Sequence, residues 1–228
     1  MSLLRATKRT KKRLLHHFRL ALASFALTIL LYAVLLWFYP DPLRWVFRWS
    51  LATGYVAAAL LAITLSIGAW KILCGRSNPV STDLRRDIGI WCGVLSSVHV
   101  VVGLNVHFNS WMQYFMTEAG GVRTDFFGLA NYSGLAATLV IAILLATSND
   151  FSLTVLKSRR WKAIQRWNYF FAALVALHAF LYIAVEKRIV PFVFIFGAFA
   201  IWTLTIQACG FQKRRQAGRE GLVADISE

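Results

Sequence analysis

The chain has 228 residues, of which 58% are hydrophobic and only 15% are charged, and its formal net charge is +15. This composition excludes an ordinary soluble domain, because the charges lie in short blocks between long apolar runs, as in multi-span helical membrane proteins. Runs such as VIAILLA do not alternate in polarity every second residue, so a membrane β-barrel is excluded as well.

Six apolar runs of membrane-span length follow one another along the chain. They predict an all-α membrane protein, a bundle of six transmembrane helices. The predicted spans cover 20–39, 49–70, 88 to about 111, 127–147, 167–185 and about 189–209. We therefore divide the chain into a basic tail at 1–19, a transmembrane domain at 20–209 and a second tail at 210–228.

The basic residues are distributed very unevenly between the two sides of this bundle. Of the 25 Lys and Arg residues, 20 fall in the two tails and in the loops after spans 2 and 4, and 5 fall in the remaining loops. Cytoplasmic loops carry such an excess. The bias predicts that both termini are cytoplasmic and that the basic excess faces anionic lipid rather than nucleic acid.

Two histidines lie inside predicted spans, where an ionisable side chain indicates a functional site. His99 comes 12 residues after Asp87 in span 3, and His178 comes 12 residues after Arg166 in span 5. Both spans run in the same direction, so both imidazoles should lie roughly 18 Å above the same membrane boundary. Matched depth is what two axial ligands of one heme iron require, although each histidine could instead hydrogen-bond a neighbouring helix.

Other residues near the pair have less specific interpretations. Gly93 and Gly103 flank His99, and they could admit a flat macrocycle or serve helix packing. His107, about 12 Å beyond His99 on a continuous helix, could form an interfacial hydrogen bond, the favoured role, or contact a heme propionate or a quinone. His16 and His17 lie in the basic tail, where we expect them to be solvated.

Several site types have no counterpart in the sequence. There is no GxGxxG after a strand, no P-loop, no HExxH and no CxxC. The predicted spans also contain no acidic residue, whereas proton pumps and secondary transporters usually carry intramembrane carboxylates. A transporter is therefore the weakest of the alternatives.

Three segments resemble the ferric-reductase-like transmembrane domain superfamily, and in particular the heme-binding membrane subunits of periplasmic methionine sulfoxide reductase systems. They are LRRDIGIWCGVLSSVH at 84–99, ATSND at 146–150 and RRWKAIQRWNYFFAALVALHAFLY at 159–182. The resemblance covers spans 3 to 5 and extends to the other spans by topology only. It implies a six-helix b-type cytochrome in the bacterial inner membrane, with His99 and His178 at the positions of heme ligands.

The same resemblance implies the reaction partners. Such a protein passes electrons from a quinol or a cytoplasmic reductase through heme to an acceptor on the outer side, here a periplasmic reductase, and flavin binding is a trait of that branch. The family usually has a further histidine where this chain has Gln165, a poor ligand for heme iron, so we expect one heme rather than two. The alternative from another class is a heme-free membrane scaffold or assembly partner.

Overall fold

A computed structural model describes the backbone of residues 2–75, 83–107, 110–186 and 190–226, and within these ranges it leaves the side chains of 2–12, 83, 190, 191, 218 and 220–226 undescribed. The described chain is helical, with an isolated antiparallel bridge between Met116 and Val122. The seven α-helices are α1 (Ser2–Phe38), α2 (Trp45–Leu73), α3 (Asp83–Gly103), α4 (Phe126–Thr147), α5 (Asp150–Gln165), α6 (Trp167–Glu186) and α7 (Val190–Ile226).

Five segments of the described chain are long and apolar enough to cross a membrane. They lie within α1, α2, α4, the α5–α6 unit and α7, and they support the expected multi-pass membrane protein. The predicted spans 127–147 and 167–185 match α4 and α6 to within one residue at each end. Large apolar side chains such as Leu22, Ile29, Phe194 and Leu204 are exposed on α1 and α7, where lipid would cover them.

The predicted end of the third span is wrong, and α3 is not among the five segments that are long and apolar enough to cross a membrane. Helix α3 stops at Gly103 instead of continuing to about residue 111, and it carries Arg85, Arg86 and Asp87 near its start. Only 16 residues lie between Asp87 and the end of the helix, which is roughly 24 Å of α-helix against a hydrocarbon core of about 30 Å. His107 therefore lies in the loop after α3.

The two ends of the chain and the loop after span 4 are more helical than the sequence predicts. Helix α1 starts at Ser2 and passes through the basic tail without a break, and α7 continues to Ile226. The segment predicted as a loop at 148–166 contains α5. The side-chain oxygen of Asn149 accepts a hydrogen bond from the Ser152 amide and so caps α5, and the Trp161 indole donates to the Thr147 carbonyl oxygen.

The helices form two packed groups. Helix α2 packs against α1, α3 and α7, while α4 packs against α5 and α6, and the two groups meet mainly where α3 contacts α4. Buried side chains at this junction include Leu60, Cys92, Leu95, Val140 and Phe171. A cleft lies between the groups, with α3 on one side and α6 on the other.

Helix α1 is attached to α3 through Asp87. This carboxylate is 1% exposed, and its two oxygens lie 3.4 Å from Nε2 of His16 and from Nε2 of His17. Both imidazoles remain partly exposed, in keeping with the expected solvation, and each also lies against this carboxylate. Neither carboxylate oxygen has a hydrogen-bond partner among the described residues, so the two sequence-adjacent imidazoles at 3.4 Å are the groups that border this buried carboxylate.

Candidate functional site

His99 and His178 face each other across the cleft between the two helix groups. Their ring centroids are 6.1 Å apart and their ring planes are inclined at 87°. His99 lies on α3 and His178 lies on α6. The two histidines that were predicted to lie at the same depth are therefore neighbours in the structure.

Each imidazole is fixed by a backbone carbonyl of the helix behind it. Nδ1 of His99 lies 2.9 Å from the Ser50 carbonyl oxygen in α2, and Nδ1 of His178 lies 2.8 Å from the Ala130 carbonyl oxygen in α4. A carbonyl oxygen can only accept, so Nδ1 carries the proton in both rings. Nε2 of each ring then bears the lone pair that a metal would use.

A glycine follows each of these carbonyls after one helical turn and makes room for the ring. A Cβ at Gly54 would lie 3.0 Å from Nδ1 of His99, and a Cβ at Gly134 would lie 2.7 Å from Nδ1 of His178. The same arrangement, a carbonyl at one position and a glycine four residues later, occurs on α2 and on α4. Any larger residue at either glycine would push the imidazole toward the cleft.

The cleft encloses a cavity of about 550 Å³, which is within the range of cofactor pockets. Its lining is predominantly apolar and includes both histidines and both glycines, together with Ala58 of α2. Gly103 also lines it, whereas Gly93 packs on α4, where a Cβ would lie 2.5 Å from Leu145 Cδ2. Of the two roles considered for Gly93, helix packing is the one the structure supports.

His107 lies at one mouth of this cavity, which we call the His107 end of the bundle. Its Nε2 is 3.1 Å from Glu186 Oε1, and its backbone N–H donates to the Tyr114 hydroxyl oxygen. Its ring is nearly parallel to that of Tyr182, whose ring centroid is in turn 4.9 Å from that of His178. His107 thus makes the hydrogen bond favoured from the sequence, and a propionate or quinone contact stays a prediction.

Gln165 lies far from the histidine pair, at the opposite end of the bundle, which we call the Arg86 end. Its side-chain amide donates to the Thr147 hydroxyl oxygen at 3.3 Å. It lines a second cavity, whose described lining residues include no histidine, cysteine or methionine. The described lining of this cavity thus offers Gln165 no histidine, cysteine or methionine as a partner in binding a second heme iron.

The donor set of the first cavity fits a heme. Metal–imidazole bonds are about 2.0 Å, and a five-membered ring with bonds of about 1.33 Å has its nitrogen about 1.1 Å from the centroid. Two imidazoles on one iron would thus have centroids roughly 6.2 Å apart, close to the 6.1 Å found. Among the described residues no group of three or more His, Cys, Asp or Glu side chains could hold a bare metal ion. Heme needs only two protein ligands, because the porphyrin supplies the other four.

Sequence reasoning found the two histidines but missed their supporting residues. Ser50 and Ala130 contribute backbone atoms, which no residue type reveals. Gly54 and Gly134 could have been noticed, since each lies within a predicted span, where a small residue indicates a close helix contact. The contact could not be assigned to a histidine before the helix neighbours were known. Comparison of the chain with protein-family models, with curated proteins and with solved structures finds no match.

Proposed function

We propose that this protein is a membrane b-type cytochrome, an electron-transfer subunit of a reductase system with no catalytic site of its own. His99 and His178 would hold a single heme b in the cavity between the helix groups. The observation that carries the proposal is the facing pair of imidazoles, each oriented by a carbonyl through Nδ1 and backed by a glycine. The resemblance of spans 3 to 5 to the ferric-reductase-like superfamily agrees with it.

The protein's own contribution is to orient and to insulate. When bound, heme supplies a one-electron carrier whose potential depends on its axial ligands and on the polarity around it. The Ser50 and Ala130 carbonyls fix the tautomer of the two ligands and raise their basicity. The predominantly apolar lining would limit the access of water to a bound heme iron and would favour the less charged form of its iron–porphyrin core.

The proposed topology has six spans, with both termini in the cytoplasm of a bacterium and the bundle in its inner membrane. Helix α3 would be the third span although it is short and begins with charged residues, because α2 shields one side of it and α4 covers part of another. The bias of 20 basic residues against 5 supports this orientation. The Arg86 end would then face the cytoplasm, and the His107 end would face the electron acceptor, for which a periplasmic reductase is the proposed partner.

A single heme restricts the electron donor. Gln165 is the last residue of α5 and His178 lies 11 residues after the start of α6, which is roughly 17 Å of helix, so one heme cannot contact both. A quinol dissolved in the bilayer can approach a heme in the interior of the bundle, whereas a soluble cytoplasmic reductase would need a second carrier. We therefore favour a quinol as the electron donor. Flavin binding is implied by the family resemblance alone.

The second candidate function is a heme-free scaffold. It is favoured by the fact that each imidazole already makes an interhelical hydrogen bond, which is a sufficient structural reason for a histidine in a span. The two functions predict different visible absorption of the purified protein. Protein purified from heme-replete cells should give a reduced-minus-oxidised difference spectrum of a low-spin b-type cytochrome and should be reduced by a quinol analogue in detergent. A colourless protein would instead support the scaffold.

A further inference from the structure

The second cavity lies at the Arg86 end of the bundle and has a volume of about 430 Å³. It is enclosed by the ends of α2, α4 and α5 and by the starts of α3 and α6, with α7 passing along one side. Nothing in the proposed electron transfer uses it. Its position and charge nevertheless make it unlike the apolar cavity that holds the histidines.

Five cationic side chains line this cavity and no carboxylate does so among its described lining residues. The five are Arg85, Arg86, Lys162, Arg166 and Arg214. Arg86 is engaged by Asp150, since the two side chains approach to 2.6 Å, and Arg13 holds the other oxygen of the same carboxylate at 2.8 Å. Asp87 is covered by the two histidines of α1. The remaining four cations therefore leave the cavity with a large positive excess.

The deeper wall of the same cavity is apolar. Leu65, Ile141, Leu144 and Leu145 line it where it approaches the middle of the bundle. The cavity is thus cationic where the helices end and hydrocarbon-like further in. This polarity gradient matches a molecule with an anionic head and an aliphatic chain.

Two of the helices that border this cavity, α6 and α7, pack little against each other. Helix α6 packs against α4 and α7 packs against α2, but α6 and α7 do not pack extensively against each other along their described residues. Tyr169 of α6 reaches across this gap, with its hydroxyl 3.5 Å from Gln207 Oε1. An aliphatic chain can leave the cavity between these helices without disturbing a packed interface.

We propose that this cavity binds the phosphate group of an anionic glycerophospholipid, with the acyl chains passing outward between α6 and α7. Basic pockets between transmembrane helices at the cytoplasmic side are known to bind such head groups. The apolar wall and the weak packing between α6 and α7 favour a lipid over a free phosphate ion, which would make no use of either. The proposal needs the bundle to lie in a membrane but does not depend on the heme.

The test uses the full chain, purified and delipidated in neutral detergent. Native mass spectrometry would count the lipids retained after addition of phosphatidylglycerol or phosphatidylcholine, and the thermal unfolding midpoint would be followed with each lipid and with inorganic phosphate. We expect about one phosphatidylglycerol per chain and a rise in the midpoint with that lipid alone. Equal retention of phosphatidylcholine, or an equal rise with inorganic phosphate, would overturn the assignment.

A pair of matched variants separates the cavity from the basic surface. The double variant Arg85→Gln/Arg166→Gln removes two lining charges, and its affinity for phosphatidylglycerol should fall about thirtyfold, at about 1 kcal/mol for each arginine. The control Arg159→Gln/Arg160→Gln removes two charges from α5 that do not line the cavity, and it should bind as the wild type does. An equal loss in both variants would mean that lipid binds the surface rather than the cavity. The lipid counts of the wild-type chain remain decisive if the first variant does not fold.

Discussion

The imidazole of His178 lies so close to Gly134 that a Cβ at this glycine would be 2.7 Å from Nδ1. The contact joins α6 to α4 at the same level at which the Ala130 carbonyl holds the ring. Gly54 stands in the same relation to His99, with a distance of 3.0 Å. Two histidines on two different helix groups are thus oriented by the same pairing of a carbonyl with a glycine.

Substitution of these glycines tests whether the backing of the rings matters for heme. Gly134→Ala should weaken heme binding by about 5-fold to about 150-fold, because overpacking of about 1 to 3 kcal/mol would displace the imidazole. Gly54→Ala should have the smaller effect, since its Cβ would have more room. Heme retention during dilution into apo-myoglobin would measure both losses.

Gly197 provides the control for this pair, because a Cβ there would meet no atom within 4 Å. Gly197→Ala adds the same methyl group to a helix and should leave heme retention unchanged. If the three alanine variants retain heme equally well, the glycines serve general helix packing and do not support the ligands.

Alanine substitution of the histidines tests ligation itself. His99→Ala and His178→Ala should each reduce the heme content of the purified protein to less than about a tenth of the wild-type value. Each variant would leave the iron with one protein ligand instead of two. His107→Ala removes an imidazole that hydrogen-bonds Glu186 at the mouth of the same cavity, and its heme content should stay near that of the wild type. A full low-spin spectrum in either of the first two variants would remove that histidine from the iron.

The orientation of the bundle can be measured with fused reporters. A reporter attached after Glu228 should be active in the cytoplasm, and one inserted between Gly120 and Gly121 should be active outside, because the basic residues concentrate on the side of the two tails. Gly120 has a φ of +79° and nothing within 4 Å of its Cβ position, so an insertion there should not disturb the helices. An external reporter after Glu228 together with a cytoplasmic reporter at Gly120–Gly121 would refute the proposed orientation.

Substitution of Gln165 tests the expectation that the chain binds one heme rather than two. Gln165→His places an imidazole beside the second cavity, but the described residues lining this cavity offer no second histidine to complete the coordination. We expect at most a weak, five-coordinate or heterogeneous second heme, detected as a high-spin component in the absorption spectrum. A second low-spin heme in this variant would show that another residue serves as the sixth ligand.

The sequence predicted the histidine pair because helix rise converts residue spacing into depth, and His99 and His178 have equal spacing from the charged ends of their spans. It located α4 and α6 to within one residue at each end for a related reason, since charged and turn residues border both apolar runs. These are local properties, which a single sequence contains.

The features that the sequence did not predict depend on which helices become neighbours. Gly103 and Asn105 are local signals for a helix end, but the apolar residues Leu104 and Val106 between and after them led the predicted span past this point. The contact of His16 and His17 with Asp87 joins residues about 70 positions apart. Gly54 and Gly134 likewise come to lie behind the two histidines only when α2 packs on α3 and α4 packs on α6.

The heme content of the wild-type chain tests the central claim most directly. Pyridine hemochrome analysis of the purified protein, divided by the chain concentration from amino-acid analysis, should give close to one heme b per chain, and the untreated protein should be entirely low-spin. A ratio near zero from heme-replete cells would contradict the assignment of His99 and His178 as ligands. A ratio of two, with both hemes six-coordinate, would contradict the single-site account and would require ligands outside the facing pair.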